Sequence, residues 1–247
     1  MSKYREVIYP SDKKNPYPTR LIGYIYKRFM KGTKPKVGVI QIGGLSGTEK
    51  RKILDIGCCT GKALKLFKEF EDFDLYGVDI RDEEVGGIKF AECNIESEPI
   101  PFPDNTFDFV YSKSVLEHVV NTDNFVSEAK RVLKPGGVFI GLTPDWESQM
   151  SNFWDDYTHV KPFTRKGLRD CLRIHDFDNA DCEYFYQLPV VWSYPIVEYV
   201  CRFVAWLLPD SWKWKDSEMR NTKDRKFIRF SKEKMLLSFG KKKEPQQ

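Results

Sequence analysis

The stretch ILDIGCCTGK, residues 53–62, decides the fold. KILDIG has the continuous apolar character of a strand buried on both faces. It turns into TGKALKLFKEFED through Gly57 and Gly61, and that segment carries apolar residues at helical spacing: Ala63, Leu64, Phe67 and Phe70. A glycine-punctuated turn lets backbone approach a ligand closely and aims N–H groups at its polar atoms. The next strand, FDLYGVDI, ends in Asp79, 22 residues after Gly57. An acidic group at that place can accept hydrogen bonds from both hydroxyls of a ribose.

Two nucleotide-binding patterns fail on the same stretch. A dinucleotide fingerprint, GxGxxG, requires glycine where Cys59 stands. A phosphate loop requires GxxxxGK followed by Ser or Thr; here the glycines are one residue too close, and Ala63 cannot ligate Mg²⁺.

Outward from the loop, strands and helices alternate. IKFAECNI (88–95), FDFVYS (107–112) and GVFIGLTP (137–144) read as further strands. SVLEHV (114–119) and FVSEAKRVLKPGG (125–137) read as helical, with KPGG a tight turn into the fifth strand. Alternating βαβ units imply a parallel sheet. In that order and spacing ILDIGCCTGK, GVDI, PFPDNTFDFVYSKSVLEHV and RVLKPGGVFIGLTP resemble the successive motifs of class I S-adenosylmethionine-dependent methyltransferases. The likeness is strong over residues 50–145 and weaker to 187.

The resemblance implies an α/β, Rossmann-like three-layer sandwich on a mostly parallel seven-stranded sheet with an antiparallel last strand. ADCEYFYQL (180–188) then stands for the sixth strand and KMLLSFGKKK (234–243) for the seventh. It implies S-adenosyl-L-methionine as cofactor and S-adenosyl-L-homocysteine as product. Asp55, Gly57, Cys58, Cys59 and Gly61 would surround the amino-acid part of the cofactor, and Asp79 would hold the ribose. Ile80 would pack on adenine, with Asn94 and Ile95 at its edge. Asn94 would accept the adenine amino group where relatives often use a carboxylate. Ser112 and Lys113 would floor the methionine end. Cys59 replaces the usual middle glycine of the loop.

Methyl transfer needs an aligned acceptor, and a hydroxyl or amine acceptor must also lose its proton. The chain has three histidines. His118 follows the fourth strand and His159 lies in DDYTH, so both are candidate bases, with Glu117 a candidate partner for the acceptor. His175 ends a predicted helix and reads as a capping residue. No metal site is expected: the six cysteines form no CxxC pair. Phe153, Trp154, Tyr157 and Phe163 would suit stacking on a sugar face. The segment NFWDDYTHVKPFTRKGLRDCL resembles, more loosely, enzymes of glycan and lipid-linked saccharide biosynthesis. The expected acceptor is a small molecule or glycan. A protein or nucleic-acid acceptor, or a non-catalytic cofactor-binding module, is the alternative. Residues 145–160 are acidic rather than basic, so nucleic acid is not expected as a partner.

Four regions follow: an N-terminal appendage at 1–50 with one amphipathic helix, TRLIGYIYKRFMKG, and a glycine-rich loop; the core at 51–187; an apolar insertion with a basic segment at 188–230; and the last strand and tail at 231–247. The charged N-terminus lacks the apolar core of a signal peptide, and free thiols suit a reducing compartment, so a cytoplasmic location is expected. Residues 188–208 hold two formal charges, Glu198 and Arg202, and approach the length of a membrane span. Pro189 and Pro195 interrupt them, and both flanking strands belong to one sheet, so a span is rejected. A lid, a homodimer interface and a peripheral contact on the inner membrane surface through 188–214 stay open. Trp212, Lys213, Trp214 and Lys215 would favour the last.

Overall fold

The computed structural model describes residues 15–32, 50–81, 86–214 and 225–244. The predicted glycine-rich loop and Lys215 lie outside them. Seven strands run β1 (Lys52–Ile56), β2 (Asp74–Asp79), β3 (Lys89–Glu92), β4 (Phe107–Lys113), β5 (Leu133–Pro144), β6 (Phe177–Tyr186) and β7 (Lys234–Lys242). They form one sheet in the order β3-β2-β1-β4-β5-β7-β6. The pairings from β3 to β5 are parallel, and β7 runs antiparallel to both β5 and β6. This is the doubly wound sheet with an antiparallel last strand that the motifs imply.

Both faces of the sheet are covered, which explains the apolar runs in the central strands. On one face lie α3 (Thr122–Val132) and α5 (Arg165–Ile174), whose Phe125, Ala129, Leu168 and Leu172 pack with Leu54, Val110 and Phe139. Asn121 accepts the N–H of Asn124 at 3.2 Å and Thr164 that of Gly167 at 3.1 Å, so each helix starts on a side-chain cap. Against the other face lie α1 (Tyr17–Ile25) and α2 (Lys62–Lys68), with Ile22, Ile25, Leu64 and Phe67 meeting Ile53, Phe109 and Ile140.

Three local expectations change. The described part of the predicted appendage, residues 15–32, packs on the core: α1 continues through a π-helical turn, Tyr26–Met30, and Phe29 is buried with its ring 5.1 Å from that of Phe239 in β7. Arg28 fastens the same turn by donating to Glu183 Oε1 of β6 at 2.6 Å. SVLEHV forms only a 3₁₀ turn, Leu116–His118, bounded by Ser114 in a left-handed conformation (φ 57°) and by extended Val119 (φ −106°, ψ 116°), neither of which a helix can contain. KPGG is an excursion within β5: Leu133 pairs with Phe107 and Val138 with Phe109, and Gly136 sits at φ 78° between them.

The apolar insertion becomes α6 (Pro189–Ser193) and α7 (Val197–Leu207), split at Pro195. Among the described residues no helix is long and apolar enough to cross a membrane. A further helix, α8 (Lys226–Lys232), returns to β7. The short α4 (Trp146–Gln149) leaves β5.

Replacing Phe29 by Ala is expected to cost about 3–5 kcal/mol in urea unfolding, the range for emptying a fully buried aromatic site. A loss below about 1 kcal/mol would show that α1 is not part of the cooperative core.

Candidate functional site

The loop after β1 is built from left-handed residues. Gly57, Cys59 and Gly61 have φ of 76°, 54° and 64°. Gly57 also has no room for a side chain, since a Cβ there would lie 2.3 Å from Val115 Cγ2. Cys59 adopts the conformation usually left to glycine, and its backbone N–H donates to Asp79 Oδ2 at 2.9 Å. Gly57 and Cys58 donate to the Val78 carbonyl at 2.8 and 3.1 Å, and Gly61 to that of Cys58 at 2.8 Å. The loop is thereby folded back onto the end of β2, with the Asp79 carboxylate at its rim.

Asp55 is buried at the end of β1. Burial and the nearby charge of Asp79 push its carboxyl well above the usual range, while Lys113 acts in the opposite direction. A site with two carboxylates competing in this way suits a ligand that brings positive charge and a diol. S-adenosylmethionine, with its amine, sulfonium and ribose, meets both requirements.

Other predicted cofactor contacts are placed differently by packing. The Cys58 side chain is buried against Gly77, where a Cβ would come within 2.5 Å of its sulfur, so only its backbone belongs to the loop. Ser112 is buried, and its hydroxyl donates to the Ile56 carbonyl at 3.0 Å; it ties β4 to β1 and offers no side chain to a ligand. Ile95 points into the core. Asn94 is exposed, but its Oδ1 already accepts the N–H of Glu96 at 3.1 Å, which leaves one lone pair for an adenine amine. Ile80 is half exposed at the end of β2, as a residue that packs on a base should be.

Glu96, absent from the sequence reading, holds the neighbouring loop. Its two carboxylate oxygens accept the N–H groups of Val120 and Asn121 at 2.6 and 2.9 Å. No spacing pattern announces such a long-range clasp.

The three candidate catalytic residues converge. A carboxylate oxygen of Glu117 and one ring nitrogen each of His118 and His159 all lie within 4.8 Å of one another. The two imidazole rings have centroids 4.9 Å apart. Glu117 is fully buried and accepts the Thr143 hydroxyl at 2.8 Å; its carbonyl accepts the N–H of Val160 and Lys161, which brings the 153–163 segment onto the site. Burial raises the Glu117 carboxyl, opposed by the adjacent imidazoles of His118 and His159. Lys113 is held below its ordinary range by burial, against the charges of Glu117 and Asp55. It thus links the cluster electrostatically to the loop.

Hydrogen bonding settles both tautomers. His159 Nδ1 lies 2.6 Å from the Phe153 carbonyl, which can only accept. Thr158 Oγ1 gives its proton to Asp156 Oδ1 at 2.7 Å, so His118 Nδ1, 3.0 Å from that hydroxyl and 3.1 Å from the Thr158 carbonyl, donates too. In neutral imidazoles the Nε2 atoms are then the unprotonated nitrogens, that of His159 lying 3.9 Å from Asp156 Oδ2. His175 instead donates Nδ1–H to the Cys171 carbonyl at 2.9 Å and closes α5.

The predicted aromatic platform divides. Phe153 and Phe163 are buried, Phe153 against the His159 ring at 4.4 Å; Trp154 and Tyr157 are exposed. A cavity of about 470 Å³ opens beyond α4, lined by Glu147, Met150, Tyr186, Arg202, Asp210 and Lys232. The buried Lys213 sits beside it, paired with Glu233 at 3.2 Å and Asp210 at 3.2 Å, and Trp214 is buried under Arg229. Neither residue is available to a membrane, contrary to expectation.

Residues 54–141 match the family model described as "Methyltransferase domain". A sterol 24-C-methyltransferase of Gibberella zeae is 36% identical over 100 residues, covering 36% of this chain and 26% of that protein. Phosphoethanolamine N-methyltransferase 3 of Arabidopsis thaliana is 30% identical over 122 residues, covering 40% and 24%. The chain thus matches only about a quarter of the length of these relatives. Among solved structures, a SAM-dependent methyltransferase from Archaeoglobus fulgidus superimposes with a TM-score of 0.60 at 20% identity, over 98% of this chain and 99% of that one. Phosphoethanolamine N-methyltransferase 2 of Haemonchus contortus, solved with S-adenosyl-L-methionine, gives 0.55 at 15% identity, over 94% and 59%. Residues 54–141 thus match a methyltransferase domain, and the sheet as a whole has the fold of solved S-adenosylmethionine-dependent methyltransferases.

Proposed function

We propose that the chain transfers a methyl group from S-adenosylmethionine to a hydroxyl of a sugar, lipid-linked saccharide or other small metabolite. The observation that carries this reading is the convergence of Glu117, His118 and His159, with ligand atoms within 4.8 Å of one another and both Nδ1 atoms engaged by carbonyls, one strand away from the cofactor loop. When bound, the cofactor supplies an electrophilic methyl on a sulfonium. Asp55, Asp79 and the backbone of the 57–61 loop would hold and orient it. His118 or His159 would take the acceptor proton at Nε2. The packed 153–163 segment would exclude water from the same place.

A lipid-carried acceptor is favoured by α7. Ile196, Tyr199, Val200, Phe203, Trp206 and Leu207 recur at helical spacing and are 50–78% exposed, while Cys201 faces inward. The inner side of the same helix lines the cavity with Arg202 and Ala205. Such a helix can lie in a membrane surface and bring the cavity mouth to its amphiphilic substrate. By their names two of the relatives methylate a sterol and phosphoethanolamine, and the sterol is a lipid acceptor.

Three measurements follow. Asp79→Ala is expected to weaken S-adenosylhomocysteine binding by calorimetry by about 1.5–3 kcal/mol, the worth of a charge-assisted bond; an unchanged Kd would misplace the ribose. His118→Gln and His159→Gln should lower turnover on the true acceptor by about 10²–10⁴-fold where that residue is the base. Full turnover in both would leave alignment alone as the source of rate. The third is co-sedimentation with anionic vesicles at low salt, expected for wild type and reduced by Phe203→Glu with Trp206→Glu. Protein that stays in the supernatant and elutes as a dimer would make this face a subunit interface.

A further inference from the structure

We propose that Glu117, His118 and His159 form a site for one divalent transition-metal ion. Among the described residues they are the group whose ligand atoms come together, within 4.8 Å of one another. The donor set, two imidazoles and one carboxylate, suits a borderline cation such as Zn²⁺, Co²⁺ or Fe²⁺ better than Mg²⁺, which prefers oxygen.

The surroundings are arranged as a metal site requires. A ligating histidine usually donates its other ring N–H to a carbonyl or carboxylate, which sets the tautomer and the ring plane. Both histidines do this: Nδ1 of His159 to the Phe153 carbonyl at 2.6 Å, and Nδ1 of His118 to the Thr158 carbonyl at 3.1 Å. The nitrogens left to bind are the two Nε2 atoms. The carboxylate is oriented in the same way, by the Thr143 hydroxyl at 2.8 Å on Oε2. Three ligands thus come with three orienting partners, all from the chain itself.

Bonds of about 2.0–2.2 Å to each ligand would draw these atoms closer by roughly an ångström. His159 lies outside regular secondary structure, between the Phe153–Asp155 turn and α5, and can make that movement. Three protein ligands leave coordination positions open, the arrangement of reactive rather than structural metal sites. This deepens the acceptor-hydroxyl reading and rests on it in one respect: an open position would hold the acceptor oxygen. With the ion bound, both histidines are ligands, so the hydroxyl would be acidified by coordination and not by transfer to an imidazole.

The test is calorimetric titration of EDTA-stripped full-length protein with Zn²⁺ and with Mg²⁺, together with the visible spectrum on adding Co²⁺. No cofactor or acceptor is present. The expected result is one equivalent of Zn²⁺ at micromolar affinity or tighter, weaker Mg²⁺ binding, and d–d bands typical of nitrogen and oxygen ligation. Thr143→Val should weaken Zn²⁺ binding about 10–100-fold, and His159→Asn by more, with circular dichroism unchanged. Absence of Zn²⁺ binding overturns the proposal, as does undiminished binding in both His159→Asn and His118→Asn. If zinc fails to bind while S-adenosylhomocysteine still does, the metal reading falls and the methyltransferase reading stands. Loss of both would count against the loop assignment itself.

Discussion

A hydrogen bond from the Cys59 backbone N–H to the Asp79 carboxylate at 2.9 Å, beside those of Gly57 and Cys58 to Val78, joins the two strand ends on which the cofactor site rests. It requires Cys59 to occupy the left-handed region at φ 54°, a conformation that costs a non-glycine residue about 1–2 kcal/mol. The cost is met locally. Gly57 and Cys58 are anchored to Val78, Gly61 to Cys58, and Val115 closes over Gly57. Because Val115 directly precedes the Leu116–His118 turn, the shape of the cofactor loop and the position of His118 and Glu117 are mechanically coupled. Lys113, sensing both Asp55 and Glu117, couples them electrostatically as well.

The second layer of organisation is the return of the 146–163 segment across the C-terminal edge of the strands. Asp145 caps α4 by accepting Ser148 N–H at 3.0 Å, and Trp146 donates to the Phe163 carbonyl at 2.9 Å, so the segment leaves β5 and comes back as a closed loop. Phe153 fills its interior, against His159, Trp146 and Trp154. Beyond the Phe153–Asp155 turn, the loop carries His159 to Glu117 on a stretch outside regular secondary structure. Buried aromatic contact does the positioning that regular secondary structure does elsewhere.

Much of this was legible in residue order. The alternation of strands and helices, the glycine turn at 57–61 and the acidic end of FDLYGVDI are local patterns, and each survives in the fold. What escaped was non-local. Glu117, His118 and His159 can be named as candidates one by one, but nothing in the spacing between LEHV and DDYTH says that they meet. The bonds to the Thr158 and Phe153 carbonyls are likewise invisible to a reading of side chains. The resemblance assigns Ser112, Ile95 and Cys58 to the ligand by their place in the family's motifs; packing turns their side chains into the protein instead. The exchange of Lys213 and Trp214 from surface to interior has the same origin, since their partners Glu233 and Arg229 come 20 and 15 residues later in the chain.

The order of the strands in space bears on how the molecule is made. β7 separates β5 from β6, so β6 has no partner in the sheet until residues 234–242 arrive. During synthesis the five strands from β1 to β5 can associate as soon as they leave the ribosome, whereas β6 must wait through the whole of α6, α7 and α8. For that interval Phe185 is without Met235, Leu237 and Phe239, its neighbours in the finished core, and an unpaired strand edge is exposed to other nascent chains. The apolar helix α7 emerges during the same interval. A surface that receives α7 early would also shelter β6, so the place where this protein is synthesised and the fidelity with which its sheet closes become linked.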